Sequence, residues 1–346
     1  MNIIRFILLP FSVLYGLITY LRNKFYDFGW FKSTEFDLPV VAVGNLSAGG
    51  TGKTPHIEYL IRLLNDKYHL ATLSRGYGRK TKGYFIADKF TNASDIGDEP
   101  MQFHQKFESV SVAVDANRVE GITKLMDENE KPEVILLDDA FQHRRVKPGL
   151  QILLTPYNDL FSDDWMLPTG RLREYSNGSK RADVVVVTKC PDKVSNKKVV
   201  ELHKKLNIGS HQELFFSKIV YSDVAFGWDK VFEYDTLIKY KVLLVTGIAN
   251  PDPLIKHLKS YDIIFKHLKF ADHHDFTKTD VFEIESEFTN LGSGKKVILT
   301  TEKDYVRLNA TGIHKSNLMY LPISVDFLNG DKANFDKKIR AYVKKN

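Results

Sequence analysis

A glycine-rich segment that ends in lysine and threonine is the strongest indication of chemistry in this sequence. Residues 41–55 read VAVGNLSAGGTGKTP, with a β-branched apolar run before the glycines and an amphipathic pattern after them. Between a strand and a helix, such glycines let backbone N–H groups point at phosphate oxygens, and the lysine adds positive charge. We therefore predict a nucleoside triphosphate site whose phosphate-binding residues are Ser47, Gly49, Gly50, Thr51, Gly52, Lys53 and Thr54.

The first position of this loop departs from the usual G-x-x-x-x-G-K-[ST] pattern, because Ser47 stands where a glycine is expected. The tight turn can still rest on Gly49, Gly50 and Gly52. The alternative interpretation is a glycine-rich turn that contains Gly-Lys-Thr by chance. The strand pattern before the loop and the helix pattern after it favour the phosphate-binding interpretation.

Two adjacent aspartates end a second apolar run. Residues 133–141 read EVILLDDAF, a pattern typical of a buried strand that delivers a carboxylate to the Mg²⁺ of a nucleotide. Neighbouring side chains on a strand point to opposite faces, so one acid can bind the metal while the other orients water or substrate. We predict Thr54, Asp138 and Asp139 as metal ligands, and the alternative is that the acids only cap the strand.

Cationic and polar side chains follow at three further places and suit phosphates or an anionic substrate. The segments are SRGYG at 74–78, QHRR at 142–145 and LPTGRLRE at 167–174. Arginine stabilises the charge that develops during phosphoryl transfer, which makes Arg171 a candidate catalytic residue. For each arginine the alternative is ordinary surface charge. The predicted substrate-contacting residues are Arg75, Gln142, His143, Arg144, Arg173 and Glu174.

Phosphorylation of an alcohol also needs a group that orients the hydroxyl and accepts its proton. Asp98, in the segment GDEP, is a candidate, and the alternative is that it caps a helix. The segment ADHHDF at 271–276 is rich in metal-ligand residue types, but adjacent histidines without an HExxH spacing do not favour zinc. We favour a catalytic histidine that reaches across an interdomain cleft.

The composition bounds the class of protein. The chain has 346 residues, 43% of them hydrophobic and 27% charged, which is typical of a globular protein with room for two domains. The net charge of +6 suits an anionic partner such as a nucleotide or an anionic lipid. The single cysteine, Cys190, excludes an internal disulfide and a cysteine metal cluster, and it fits a reducing compartment.

The N-terminal segment 3–21 is almost wholly apolar and is as long as a bilayer is thick when helical. The segment lacks the small-residue cleavage site of a secretory signal. A core helix and a membrane-spanning helix are alternatives. Aromatic residues along the segment and basic residues after it favour a helix that lies in a membrane surface. We therefore predict a membrane-associated helix over residues 1–25.

Alternation of short apolar runs with helical patterns predicts an α/β fold, a P-loop NTPase-like α/β/α sandwich with a smaller α/β domain and a β-strand linker. The predicted strands are Val40–Val43, Leu70–Ser74, Ser111–Val114, Val134–Leu137, Ile152–Thr155, Val184–Thr188, Val242–Thr246, Ile263–Lys266, Val297–Thr300 and Leu318–Val325. The predicted domains are a kinase domain at 26–210, linker strands at 211–236 that pair with 318–328, a smaller domain at 237–317 and a C-terminal helix or tail at 329–346, whose lysine-rich end at 337–346 is expected to be a solvated helix.

Taken together, these segments resemble the tetraacyldisaccharide 4′-kinase family, the lipid A 4′-kinases of Gram-negative bacteria. The matching blocks run in the family's order from Val43 to Leu308. A serine at the position of Ser47 is also usual in the family. The blocks are VGNLSAGGTGKTP, SRGYG, GDEP, DDAFQHRRV, LPTGRLRE, TGIANP, ADHHDF and LTTEKDYVRL. The resemblance implies transfer of the γ-phosphate of ATP to the 4′-hydroxyl of a tetraacylated glucosamine disaccharide 1-phosphate, at the cytoplasmic face of the inner membrane.

The resemblance also implies roles for individual residues. The family's catalytic acid and histidine fall on Asp98 and His273, and its nucleotide and Mg²⁺ residues fall on Lys53, Thr54, Asp138 and Asp139. With the candidates above, the predicted catalytic residues are Asp98, His273, Arg171 and Asp139. We expect no nucleic acid and no obligate protein partner. The competing functions are a membrane-associated P-loop NTPase or GTPase switch without an acceptor, and a binding module without catalysis.

Overall fold

The structure, a computed structural model, describes residues 3–272 and 274–345. The strands, in chain order, are β1 (Val40–Asn45), β2 (Leu70–Ser74), β3 (Phe85–Ile86), β4 (Ser111–Val114), β5 (Val134–Asp138), β6 (Leu150–Pro156), β7 (Val184–Thr188), β8 (Glu213–Tyr221), β9 (Val224–Gly227), β10 (Val231–Glu233), β11 (Lys241–Thr246), β12 (Phe265–Lys269), β13 (Lys296–Thr301), β14 (Leu318–Leu321) and β15 (Ile323–Phe327). The α-helices are α1 (Ile3–Asp27), α2 (Lys53–Leu64), α3 (Ala93–Ile96), α4 (Asp98–Lys106), α5 (Arg118–Asp127), α6 (Asn196–Lys205), α7 (Tyr234–Leu237), α8 (Asp252–Ser260), α9 (Lys278–Asn290), α10 (Glu302–Asn309) and α11 (Lys332–Lys345).

The larger sheet is parallel at its centre and carries the phosphate-binding loop. Among the described residues its order is β15-β8-β7-β6-β1-β5-β2-β4-β3, and only the edge strands β3 and β15 pair antiparallel. Every residue of β1 is buried because helices cover both faces. Val41 and Val43 pack in the cluster that contains α2, whereas Val40 and Ala42 pack on the opposite side with residues of α5.

The smaller sheet has the order β10-β9-β14-β13-β11-β12 in the described part of the chain. Two antiparallel chain segments pass side by side between the sheets: β8 continues into β9, and β14 continues into β15. The predicted single strand Leu318–Val325 is wrong in detail, because it divides at Pro322 into strands of different sheets. Proline has no N–H for a sheet ladder, although its carbonyl here accepts from Ser222. The domain boundaries themselves stay a prediction.

The N-terminal helix α1 runs to Asp27, two residues beyond the end of the predicted helix. It is long and apolar enough by length and composition to cross a membrane, with a mean hydropathy of 1.3 and little burial against the rest of the chain. One face docks on the segment at 167–174, where the Ser12 hydroxyl donates to Thr169 at 2.7 Å and the Tyr15 hydroxyl donates to the Arg173 carbonyl at 3.0 Å. The other face leaves large apolar side chains exposed, among them Phe11, Leu14 and Ile18.

Two further predictions of single elements are wrong. The lysine-rich end at 337–346 is not simply solvated, because α11 buries Ile339 and Val343, together with the preceding Phe335, in the core of the larger sheet. The spacing of these apolar residues, four apart, marks one face of a helix. The predicted strand Ile263–Lys266 is shifted to β12, since Ile263 and Ile264 belong to the connection after α8.

Candidate active site

The phosphate-binding loop joins the end of β1 to the start of α2. Gly49 has φ 117° and Gly52 has φ 93°, backbone conformations that favour glycine. Helix α2 begins at Lys53 immediately after the second of these turns. The loop thus presents backbone N–H groups and the positive end of a helix on the same side, which is how helix N-termini bind phosphate.

A buried histidine, His56, holds the phosphate-binding loop through hydrogen bonds. His56 Nδ1 donates to the Gly52 carbonyl at 2.7 Å, which leaves Nε2 to accept from the Ser217 hydroxyl at 3.0 Å. Burial lowers the pKa of His56 to about 4, so the ring is neutral at pH 7. The Thr188 hydroxyl donates to the Thr51 carbonyl at 2.8 Å. These bonds fix the loop to β7 and β8 of the same sheet.

The segment at 167–174 forms a second wall beside the loop. The Ala48 N–H donates to the Arg171 carbonyl at 2.7 Å, and Ser47 forms an isolated antiparallel bridge with Leu172. A strand-like pairing of this kind requires an extended backbone at Ser47, which does not depend on glycine. The pairing accounts physically for a serine at the first position of the loop.

Asp138 ends β5, the strand next to β1, and its Cα pairs in register with Val43. Its side chain is buried, and Oδ1 has no hydrogen-bond partner among the described residues. Burial raises the pKa of Asp138 to about 7, although the positive charge of Lys53 opposes that shift. Below it, Arg118 is fully buried and donates from Nη2 to the Asp138 carbonyl at 3.2 Å. A buried carboxylate oxygen without a partner is suited to a cation.

Asp139 adopts a positive φ of 48° just after the strand, so its side chain points in a different direction from that of Asp138. Arg173 Nη1 donates to Oδ2 at 3.0 Å and Nη2 donates to Oδ1 at 2.7 Å. Lys53 Nζ lies 3.7 Å from Asp139 Oδ1 and 3.4 Å from Asn45 Oδ1. Burial alone would raise the pKa of Asp139, but the hydrogen bond from Arg173 and the charge of Lys53 lower it to about 2.

Asp98 is held by a residue of α10, the helix that follows β13 of the smaller sheet. Asp98 is the first residue of α4, and Gly97 occupies the N-cap position without a side-chain cap, so the capping alternative for Asp98 is wrong. Arg307 on α10 donates from Nε to Asp98 Oδ2 at 2.7 Å, and Nη2 donates to the same oxygen. The Arg307 side chain is only 6% exposed.

Two of the predicted substrate residues belong to one buried network. Glu174 is buried, and its Oε1 accepts from Gln142 Nε2 at 2.9 Å and from Arg181 Nη2 at 2.9 Å. Its Oε2 accepts from Asn23 Nδ2 at 2.7 Å, so the network reaches helix α1. The structure therefore brings the apolar N-terminal helix and the segment after the paired aspartates into direct contact.

The other predicted substrate residues lie around this network. Arg144 pairs with Asp27 at 2.9 Å, at the end of α1. It borders a cleft of about 600 Å³ between the end of α1 and residues 140–148, which His143 also lines. Burial and the charges of Arg118 and Arg75 lower the pKa of His143 to about 4. The Arg75 side chain is exposed at the end of β2.

The Arg171 side chain does not join the cluster of Lys53, Asp139 and Arg173. It pairs with Asp159, and its Nε lies 3.3 Å from Asp164 Oδ2. Its backbone carbonyl is what contacts the phosphate-binding loop. A direct catalytic role of Arg171 stays a prediction, and Arg173 is the arginine that faces the loop lysine.

Comparison with known proteins decides the family. The family model described as tetraacyldisaccharide-1-P 4′-kinase matches residues 4–344. The chain belongs to this family. Proteins named tetraacyldisaccharide 4′-kinase from Flavobacterium johnsoniae and Bacteroides thetaiotaomicron are 53% and 45% identical to it, covering 100% and 98% of this chain and 99% and 93% of theirs. The family, the kinase class and the ATP-dependent lipid A 4′-kinase function predicted from the sequence are confirmed.

A solved structure of the family has the same fold. The "apo" form of LpxK from Aquifex aeolicus, in complex with ATP, superimposes with a TM-score of 0.78 at 31% identity. The match covers 99% of this chain and 100% of that one. The predicted α/β P-loop fold with a second smaller sheet is therefore confirmed for this 4′-kinase family member.

The predicted catalytic histidine of this kinase, His273, lies outside the described residues. Its neighbour His274 is described, and its Nε2 lies 3.0 Å from Asp280 Oδ2. Asp280 is the capping carboxylate of α9, and the His274 ring packs against Phe270 and Phe276. His274 therefore has a structural role at the start of α9, and the catalytic role of His273 stays a prediction.

Three residues of this kinase's site escaped the sequence analysis. Asn45 contacts Lys53 and Arg173 from the end of β1, Arg118 lies under Asp138, and Arg307 holds Asp98. Asn45 could have been found, because it ends the strand that leads into the loop. Arg118 opens a helix and Arg307 lies 209 residues from its partner, so neither carries a local signal.

Proposed function

We propose that this chain transfers the γ-phosphoryl group of ATP to the 4′-hydroxyl of a tetraacylated glucosamine disaccharide 1-phosphate, with the residue roles given below. The observation that carries the assignment of roles is the pairing of β1 and β5. It sets the loop that ends in Lys53 beside Asp138, a buried carboxylate with an oxygen unpartnered among the described residues. Family membership supports the substrate class.

The loop residues hold the triphosphate in this proposal. The glycines at 49, 50 and 52 allow backbone N–H groups to approach phosphate oxygens, and Lys53 neutralises their charge. Lys53 is already aimed by Asn45 and Asp139, so little side-chain entropy remains to be lost on binding. Ser47 is held by its bridge to Leu172, and Thr51 by the hydrogen bond that its carbonyl accepts from the Thr188 hydroxyl.

The residues present also fit Mg²⁺. No group of three or more Asp, Glu, His or Cys side chains in the described ranges is arranged to hold a metal by itself. Mg²⁺ beside a nucleotide needs only one or two carboxylates plus phosphates and water. We assign Asp138 as the carboxylate ligand, with Thr54 as the hydroxyl ligand. The ion would neutralise charge on the transferring phosphate.

Asp98 accepts the proton of the acceptor hydroxyl in this mechanism, assisted by His273. Arg173 and Lys53 stabilise negative charge on the transferring group, because both lie at the loop and are already ordered by Asp139. Arg75, His143 and Arg144 are proposed to contact the anionic disaccharide. The cleft beside Arg144 and the end of α1 offers space for part of it.

The membrane is proposed to be reached through α1. Its outward side chains are large and apolar, whereas its inward polar side chains contact the segments that carry Gln142 and Glu174. A lipid substrate held at the surface by its acyl chains would then present its sugar to the kinase site. We place the enzyme at the cytoplasmic face of the inner membrane, where ATP is available.

The test is an assay with γ-labelled ATP and the disaccharide 1-phosphate in detergent, with and without Mg²⁺. We expect label to appear in a lipid product that carries a second phosphate, and only when Mg²⁺ is present. A substrate whose 4′-hydroxyl is already substituted is the control and should stay unlabelled. Label that appears only as inorganic phosphate would instead indicate a P-loop NTPase without a small-molecule acceptor.

A further inference from the structure

Helix α10 packs on helix α4 through ion pairs, and one of them reaches the proposed catalytic acid. Arg307 Nε and Nη2 both donate to Oδ2 of Asp98. No described residue donates to the other oxygen, Oδ1. A carboxylate bound through one oxygen keeps the lone pairs of the second for a hydroxyl proton. The contact therefore orients Asp98 without occupying both of its oxygens.

Arg307 is itself held in place from behind. Its Nη1 lies 3.6 Å from Oδ1 of Asp304, a fully buried carboxylate on the same helix. Asp304 Oδ2 accepts from the Gly247 N–H at 2.9 Å and from the Thr301 hydroxyl at 2.8 Å. The guanidinium thus stands between a carboxylate fixed by the smaller sheet and the carboxylate of Asp98.

Gly247, whose N–H donates to Asp304, also lies close to the ADHHDF segment. A Cβ built on Gly247 would lie 3.1 Å from Asp304 Oδ1 and 3.4 Å from the Ala271 carbonyl. A methyl group there would be in tight contact with Asp304, so the packing is close. Asp304, Arg307 and Asp98 therefore form a continuous chain of contacts from the smaller sheet to the start of α4.

We propose that Arg307 is a positioning residue for phosphoryl transfer, which fixes the Asp98 carboxylate so that Oδ1 faces the acceptor hydroxyl. This inference rests on the proposed function of Asp98. Arg307 acts through Asp98 and not on the substrate. It follows that the smaller sheet is needed for the chemical step, because it supplies the group that aims the catalytic acid.

A second ion pair of the same interface provides the matched control. Lys106 on α4 pairs with Glu58 at 2.6 Å and contacts Glu302 on α10 at 2.5 Å. Both of these carboxylates are buried, so the loss of Lys106 weakens the same helix packing without touching Asp98. If Arg307 only held the two layers together, Lys106→Gln would be at least as harmful to turnover as loss of Arg307.

The experiment compares Arg307→Ala, Arg307→Lys and Lys106→Gln in the full chain. We expect Arg307→Ala to lower kcat about 10- to 100-fold, the loss that a misplaced catalytic group produces, with KM for ATP nearly unchanged. Millimolar guanidinium ion should restore part of the kcat that Arg307→Ala loses. It should restore no activity to the double variant with Asp98→Asn and Arg307→Ala. Lys106→Gln should lower Tm while keeping kcat, and Arg307→Lys should lie between wild type and Arg307→Ala.

Three results would overturn the inference: wild-type kcat in Arg307→Ala, an equal loss of kcat in Lys106→Gln, or no rescue by guanidinium of a folded Arg307→Ala. If Arg307→Ala does not fold, Arg307→Lys decides, because it keeps the charge but not the planar fork. Wild-type kcat in that variant would also overturn the inference. Absence of lipid phosphorylation by the wild type would instead contradict the proposed function.

Discussion

Arg173 donates two hydrogen bonds to the carboxylate of Asp139, at 3.0 and 2.7 Å, and so separates the roles of two adjacent acids. Asp139 is ionised and paired, with Lys53 also nearby. Asp138, one residue earlier, keeps a buried oxygen without a partner among the described residues. The first acid is therefore prepared for a cation, whereas the second orders the cationic side chains that meet phosphate.

Replacement of Arg173 should harm catalysis far more than replacement of Arg171. We expect Arg173→Gln to lower kcat/KM roughly 10²- to 10³-fold, since an arginine at the transferring phosphate is commonly worth that much or more. Arg171→Gln should cost about tenfold at most, because its side chain pairs with exposed Asp159. Steady-state kinetics with both substrates measures the difference. A larger loss in Arg171→Gln would contradict this assignment.

Asp138 should make stability depend on pH in an unusual direction. Its pKa is raised from 3.8 to about 7 by burial, so the folded state binds the extra proton between those values and loses stability as pH rises through about 7. Asp138→Asn lacks this titration. Relative to wild type, the variant should therefore gain unfolding free energy as the pH rises from about 4 to about 7.

Urea unfolding in EDTA measures this gain, since a chelator keeps Mg²⁺ from masking it. Asp192→Asn is the control, because Asp192 lies on the surface and pairs only with Lys218 among the described residues. The same Asp138→Asn protein should have lost phosphoryl transfer. Identical pH dependence in Asp138→Asn and wild type would show that the buried carboxylate is not the titrating group.

Much of the fold follows from local patterns. The runs that became β1 and β5 are apolar throughout, which parallel strands buried on both faces require. Since the carboxyl ends of parallel strands meet at one edge, the loop lysine and the paired aspartates could be placed together in advance. The division of the last strand at Pro322 and the burial of α11 could not be predicted from local patterns. Both depend on contacts with segments that are distant in the sequence.

The site was less predictable than the fold. The sequence does not say which of Asp138 and Asp139 binds the metal. A positive φ at Asp139 and a contact from Arg173, 34 residues away, distinguish the two acids. The local sequence around Asp98 suggests only a helix cap. It does not indicate the contact with Arg307, which lies 209 residues away. Contacts of this kind depend on tertiary packing, and no spacing rule within a segment reports them.

His56 should make the phosphate-binding loop sensitive to acid. Burial lowers its pKa from 6.5 to about 4, so the unfolded state binds more protons in that interval and stability falls as pH drops through it. His56→Gln removes this titration, and the unfolding free energy of the variant should fall less steeply between those pH values. KM for ATP should rise, because the bond from the ring to Gly52 is lost. His203→Gln, at an exposed histidine on α6, is the control. An acid response equal to wild type in His56→Gln would contradict the assignment.

The exposed face of α1 should determine binding to lipid. Leu14 and Leu17 are 58% and 50% exposed on a helix whose opposite face contacts the segment at 167–174, so Leu14→Glu with Leu17→Glu should release the protein from anionic vesicles. Turnover of substrate in detergent should remain, since neither residue contacts the site. Val200→Glu introduces the same charge at a position that is 55% exposed on α6 and should leave sedimentation with vesicles unchanged. Equal binding of the double variant and wild type would show that α1 does not carry the attachment.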